Sequence, residues 1–145
     1  MIPINKSISI IERSNILYRN EVFKDYGLKG YQASYLLEIN KHPGISQEQL
    51  TKDMHIDKSN VARGLISLSE SGYITRVQDT SDMRCILLYP TDEGIQLAQK
   101  VSIILKKQRT YLLQDFEEDD LIKLLEYLEK LKHRASELLE IEKKI

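Results

Sequence analysis

The stretch 56–89, IDKSNVARGLISLSESGYITRVQDTSDMRCILLY, decides how the rest of the sequence is read. With Val61 set at zero on a helical wheel, Leu65 and Leu68 fall within about 40° of it, which makes a narrow buried stripe. Ser59, Arg63, Ser67 and Glu70 fall on the opposite side, with Asn60 on the flank. Asp57 stands where a helix N-cap is needed. Ser71-Gly72 stops the helix. Tyr73 to Gln78 and Cys85 to Tyr89 are rich in β-branched and aromatic residues and read as strands. The intervening Asp79-Thr80-Ser81-Asp82-Met83-Arg84 is polar turn chemistry. The stretch is a short helix followed by a hairpin with a charged tip. Gly64 is unexpected in it, since Gly costs roughly 1 kcal/mol against Ala in a helix interior. Close approach to a phosphate or a neighbour would account for it, and so would tolerated variation. Ile66 sits at the edge of the polar face, and its position implies no role.

Upstream, residues 4–26 carry Ile4, Ile8, Ile11, Tyr18 and Val22 mostly three or four apart, which is helical spacing. Ser9 and Glu12 have the spacing of a capping box, with Asn5 and Ser7 as other starts, and Gly27 is a stop. Ile10, Ile16, Leu17 and Phe23 widen the apolar stripe beyond one contact, and such a helix is usually covered on more than one side. A core helix of a monomer and a helix shared with a second subunit both fit. Leu28 to Asn40 reads as a second helix, ended by His42-Pro43-Gly44. Ile45 is too isolated for more than a one- or two-residue strand. Ser46 to Gln49 has a capping-box pattern and opens a short helix with Leu50 and Met54 inward. His55-Ile56 joins it to the helix at 58–70, and two short helices so closely joined form a helix-turn-helix pattern.

Downstream, Thr91 is placed to cap a helix whose first turn holds Asp92 and Glu93, acids that complement the helix dipole. That helix runs through Ile95, Ala98, Val101, Ile104 and Leu105 to about Leu113, with Lys100, Lys106, Lys107 and Arg109 along a solvated face. Asp115 to Asp120 breaks the chain and caps the last helix. There Leu121, Leu124, Leu128, Leu131, Ala135 and Leu138 alternate spacings of three and four over about three heptads, the lower limit for a coiled-coil seam. A terminal helix with this stripe is a bundle or interface element.

The 145 residues fit one domain under the usual prior of roughly 100–200 residues. Net charge is −1, with 41% hydrophobic and 30% charged residues. With a pI near 6.3 the chain has no basic footprint of the kind that coats nucleic acid without regard to sequence. Between Lys52 and Arg84 five Lys/Arg are matched by five Asp/Glu, so any DNA reading rests on placement rather than charge totals. No apolar run reaches the roughly 20 residues of a membrane span, and no secretory signal is present. With one cysteine there is no disulfide framework. Together these point to a cytoplasmic protein that does not engage membranes. His42, His55 and His133 are scattered without ligand spacing, so no metal or cofactor site is read. The sequence lacks a Gly-rich phosphate loop, an HExxH and a G-x-S-x-G, and no enzymatic activity is expected. Cys85 lies in the expected second strand, where a buried inert thiol is usual.

A polar recognition face followed by a charged hairpin is a shape that enters one groove of DNA and reaches the next. Short hydrogen-bonding side chains and an Arg suit the major groove. An Arg near a hairpin tip suits a narrow minor groove, where negative potential is enhanced, and Asp82 is placed to hold Arg84. Each feature alone is also an ordinary surface.

The order helix, helix, helix-turn-helix, wing, two long helices resembles the MarR family of bacterial winged-helix regulators. The resemblance covers nearly the whole chain, most specifically Gly44 to Gly94. Pro43-Gly44-Ile45-Ser46 with Leu50 is similar to the family's lead into its first helix-turn-helix helix. Lys58-Ser59, Val61, Arg63, Leu68, Gly72, Ile74 and Arg76 resemble its recognition helix and exit. Asp82-Met83-Arg84 resembles its D-x-R wing motif, and Leu88-Tyr89-Pro90-Thr91 with Gly94 the run that follows. Thr51 stands where the family often has Ala, Gly64 where a larger aliphatic is usual, and Met83 where a second basic residue is common. The N-terminal helix lacks the cysteine of the peroxide-sensing members.

The resemblance implies a mainly α (α+β) fold: a winged helix-turn-helix with a two-stranded β-wing, plus long N- and C-terminal dimerisation helices. Residues 1–145 would form a single MarR-like domain, with 28–90 as the DNA-binding part and 1–27 and 91–145 as dimerisation helices. Ile8, Ile11, Leu121, Leu124, Leu128, Leu131 and Leu138 would build the homodimer. Ser59, Asn60, Arg63 and Ser67 would touch base edges or phosphates and Lys58 a phosphate. Arg84, held by Asp82, would enter the adjacent minor groove. The expected function is a repressor on a pseudo-palindromic double-stranded DNA operator, released by a small, often aromatic, ligand. Two other readings stay open: a winged-helix protein-interaction module without DNA, and an oxidant sensor through Cys85.

Overall fold

A computed structural model describes residues 3–144, and the chain divides into two compact units, Met1–Ile104 and Leu105–Ile145. The architecture is mainly helical with one small sheet, as expected for a winged helix. Helix α1 (Ile4–Val22) leads through a 3-10 turn (Lys24–Tyr26) to α2 (Gln32–Lys41). Then follow β1 (Ile45–Ser46), α3 (Gln47–Met54), α4 (Lys58–Glu70), β2 (Ile74–Gln78) and β3 (Ile86–Pro90). Helix α5 (Asp92–Leu112) begins in the first unit, and α6 (Glu118–Lys143) lies in the second.

The core of the first unit is built where the hydrophobic periodicity places it. Leu50 of α3, Val61, Leu65 and Leu68 of α4, and Ile74 and Leu88 of the sheet are all buried. They join Phe23, Leu28, Tyr35, Leu36 and Ile39 from the preceding elements and Leu97, Ala98 and Val101 of α5. Full burial of one such side chain is worth about 1.5–3 kcal/mol, so this cluster holds the unit together.

Several expected boundaries move. Helix α1 starts at Ile4, directly after Pro3 and with no side-chain cap, so the Ser9–Glu12 capping box is not its start. No α1 residue is buried, which removes the reading of α1 as a monomer's core helix. The second helix begins at Gln32 rather than Leu28, because Gly30 in the left-handed region interrupts the chain. The two strands of the expected wing, β2 and β3, are joined by the two-residue β1 at Ile45 in a three-stranded sheet of order β1-β3-β2. Ile45 and Ser46 pair antiparallel with Leu88 and Leu87, and β2 pairs with β3 from Ile74↔Pro90 to Gln78↔Ile86. Cys85 lies just before β3, not in it.

In the second unit α6 carries its expected leucines on a largely uncovered surface. Leu121 and Leu124 are half-buried, while Leu125, Leu128, Leu131, Leu138 and Leu139 are exposed. Among the described residues no helix is long and apolar enough to cross a membrane.

Candidate nucleic-acid interface

The helix-turn-helix is set by two side-chain caps. Ser46 Oγ accepts from Gln49 N at 3.0 Å and starts α3. The Gln49 side chain turns away to Asp53, 2.6 Å, so only half of the capping box forms. His55 ends α3 in the left-handed region, φ 53°. Asp57 Oδ1 then accepts from Asn60 N at 3.0 Å and starts α4. Each such cap contributes about 1 kcal/mol. They fix where α4 begins, and therefore which side chains it turns outward.

Helix α4 brings five of the expected contact residues onto one element. Lys58, Ser59 and Arg63 are exposed, and Asn60 and Ser67 are half-buried toward the flank. Ile66 is also exposed, and nothing in the structure explains it. Gly64 does have an explanation. A Cβ built there would lie 2.7 Å from Tyr35 Cε2 and 3.2 Å from Cδ2, so the neighbour that requires glycine is an aromatic ring of α2. Tyr35 carries its hydroxyl on to Asn60 Oδ1 at 2.7 Å. The sequence pattern gave no sign of this pairing, because the partners are far apart in the chain and Tyr35 reads as plain core.

The wing tip is organised by two aspartates. Asp79 Oδ1 accepts from the backbone N–H of Ser81 at 2.9 Å and from its hydroxyl at 2.8 Å. These bonds, the backbone one foremost, hold the Asp79 carboxyl below its ordinary pKa. Asp82 Oδ1 accepts from both the backbone N–H of Arg84, 3.1 Å, and its Nε, 3.3 Å. The guanidinium is thus tethered at Nε while the side chain stays 93% exposed. An exposed ion pair of this kind contributes at most about 1 kcal/mol to stability, so its effect is on where Arg84 points. Asp79 was not among the expected site residues; the Asp-x-Ser spacing of an Asx turn was the available signal. Met83 stands exposed between Asp82 and Arg84.

Cys85 is half-buried beside this tip. Burial pushes its thiol pKa up, and the carboxylates of Asp79, Asp82 and Glu48 push it further the same way. The thiolate is the reactive form. Alkylation of Cys85 by iodoacetamide at mildly alkaline pH is therefore expected to run slower than that of free cysteine, followed by mass spectrometry. A rate equal to or above free cysteine would reveal a thiolate these surroundings do not favour.

The expected dimerisation residues fall on two elements, α1 and α6. Ile8 and Ile11 are exposed on α1, and Leu128, Leu131 and Leu138 are exposed on α6. Arg19, on α1, turns instead to α2, where its Nη1 donates to Ser34 Oγ at 2.7 Å.

A capped helix-turn-helix followed directly by an antiparallel hairpin with a tethered arginine defines a winged helix-turn-helix protein. Comparison with known proteins narrows the class. The MarR family model matches residues 31–86, which run from the start of α2 into β3. The chain is 32% identical to the uncharacterized HTH-type transcriptional regulator YybA of Bacillus subtilis (strain 168) over 108 residues, 74% of this chain and 69% of that protein. It is 25% identical to the HTH-type transcriptional regulator BilQ of Clostridioides difficile (strain CD3), covering 84% of this chain and 82% of that one. A MarR family transcriptional regulator from Listeria monocytogenes, solved in complex with 26mer DNA, superposes with a TM-score of 0.89. It is 28% identical and covers 94% of this chain and 91% of its own. The chain belongs to the MarR family of transcriptional regulators.

Proposed function

We propose that this protein is a cytoplasmic, homodimeric repressor that binds a pseudo-palindromic DNA operator and is released by a small, often aromatic, ligand. The observation that carries the DNA reading is the wing: Asp82 holds Arg84 at Nε and leaves the side chain exposed, next in the chain to a recognition helix with an outward polar face. The DNA complex of the Listeria relative supports the same reading. In the proposed complex of this chain with its operator, Lys58 would meet a phosphate, Ser59, Asn60, Arg63 and Ser67 would meet base edges or phosphates, and Arg84 would enter the minor groove. Residues 28–90 form the reader. The exposed apolar side chains of α1 and α6 support residues 1–27 and 91–145 as the dimerisation parts, through Ile8, Ile11, Leu121, Leu124, Leu128, Leu131 and Leu138. Twofold symmetry would set the two recognition helices about one DNA turn apart. A ligand acts by binding one spacing of the two wings better than the other.

Arg84→Ala is expected to weaken operator binding by roughly 1–3 kcal/mol, measured by fluorescence anisotropy on the duplex upstream of its own gene. Its thermal stability should stay within about 0.5 kcal/mol of wild type, as for other exposed positions. Unchanged affinity in the folded variant removes Arg84 from the groove. The local balance of five Lys/Arg against five Asp/Glu favours a second reading, a winged-helix module that binds protein rather than DNA. Salt separates the two: several phosphate contacts give a steep linear fall of log affinity with log salt, whereas absence of DNA binding at low salt supports the protein-binding module.

A further inference from the structure

The carboxamide of Asn60 is oriented from the core. Its Oδ1 accepts a 2.7 Å hydrogen bond from the hydroxyl of Tyr35 on α2. Tyr35 is among the largest fully buried side chains. Burial pushes its phenol up to about 12, so the hydroxyl keeps its proton and remains a donor across the physiological range. The ring reaches Asn60 by lying across Gly64, the next turn of α4. Gln32, one turn before Tyr35 on α2, donates from Nε2 to the Gly64 carbonyl at 3.2 Å. Its Oε1 accepts from Lys29 N at 2.9 Å, which satisfies both ends of this buried amide. The turn of α4 that carries Asn60 is thus tied to α2 through backbone and side chain together.

With Oδ1 turned to the buried hydroxyl, the NH2 group is the end of the carboxamide turned away from Tyr35. We propose that Tyr35 is a positioning residue for base recognition, fixing Asn60 as a donor that reads the N7 acceptor edge of a purine in the major groove. Both purines present that acceptor there. The proposal rests on the reading of Asn60 as a groove contact. Tyr35 itself never meets DNA, and its hydroxyl acts by holding the carboxamide of Asn60 in place through the bond to Oδ1.

The test is selection from a random-sequence duplex library with wild type, Asn60→Ala, Tyr35→Phe and the double variant. Phe keeps the ring over Gly64 and deletes only the hydroxyl. Asn60→Ala is expected to flatten base preference at one position of each half-site. Tyr35→Phe should flatten that same position and no other, with roughly a tenfold loss of affinity for the selected duplex. The salt slope should not change, because no cation is removed. The double variant should lose no more than either single one, the signature of a shared interaction. A 7-deazapurine at the flattened position should weaken wild type by a similar factor and leave Asn60→Ala unaffected, a measurement that needs no Tyr35 variant to fold. A folded Tyr35→Phe protein that keeps its preference at the position Asn60→Ala flattens overturns the positioning role. Indifference of wild type to the 7-deazapurine overturns the donor assignment. If Asn60→Ala flattens no position, the groove reading of Asn60 has failed, and the role of Tyr35 falls with it.

Discussion

Replacing Gly94 by alanine is expected to destabilise the fold by about 3 kcal/mol, the upper range for forcing extra atoms into a packed site. Gly94 sits in the first turn of α5, and a Cβ there would lie 1.9 Å from the Tyr73 carbonyl oxygen and 3.0 Å from its carbon. Both are backbone atoms, so no side chain can swing aside. The neighbourhood is also pinned. Thr91 N donates to the same Tyr73 oxygen at 3.1 Å. Thr91 Oγ1 donates to Gly72 O at 2.6 Å and accepts from Gly94 N at 3.0 Å, which caps the helix. Moving α5 off Tyr73 breaks these bonds together, each worth about 1 kcal/mol. The gain in helix propensity from Gly to Ala, about 1 kcal/mol at most, opposes but does not match this. The measurement is the urea midpoint, which should fall with little change in slope. A midpoint equal to wild type would mean that the junction of β3 and α5 relaxes freely. Since Gly72 and Tyr73 connect α4 to the wing, a strained junction should also lower DNA affinity.

What was readable in advance and what was not divides along sequence separation. The caps at Ser46 and Asp57, the stripe of Val61, Leu65 and Leu68, and the Asp82–Arg84 tether all act within about two helical turns of chain, the range over which periodicity and turn chemistry speak. Each of them appears in the structure at its expected place. The features that stayed hidden join distant residues. A strand of one or two residues was readable at Ile45, but not that its partner is Leu88. Gly94 looked like one residue in a motif, and its reason is the carbonyl of Tyr73. Cys85 reads as strand by composition, yet its N–H donates to Asp82 O at 2.9 Å and closes the turn instead. The start of α1 was misplaced for a different reason: the helix begins at Ile4, directly after Pro3 and without any side-chain cap, whereas the starts considered, Asn5, Ser7 and Ser9, were all read as side-chain caps.

Gly64→Leu puts the most weight on a long-range contact of this kind. A larger aliphatic is usual at this position in the family the chain resembles, and local propensity favours Leu over Gly by roughly 0.8 kcal/mol. On local grounds the substitution should stabilise α4. The structure reverses the sign. The new Cβ would already lie 2.7 Å from the Tyr35 ring, with three more carbons to place beyond it. Tyr35 is 1% exposed, so its ring can be displaced only by moving buried neighbours. Displacing it also breaks its bond to Asn60 and strains that of Gln32 to the Gly64 carbonyl. Overpacking of about 3 kcal/mol plus roughly 1 kcal/mol for each lost hydrogen bond outweighs the propensity gain. The net expectation is a loss of several kcal/mol, read as a lower urea midpoint. The discriminating measurement is the double variant with Tyr35→Ala. If the ring is the obstacle, shrinking it should make Gly64→Leu far less damaging than in wild type, with a coupling above about 1 kcal/mol. Additive losses would place the cost elsewhere in α4. Strong coupling would make residues 35 and 64 a matched pair, in which an aromatic ring from α2 takes the space that a side chain at 64 would fill from α4 itself.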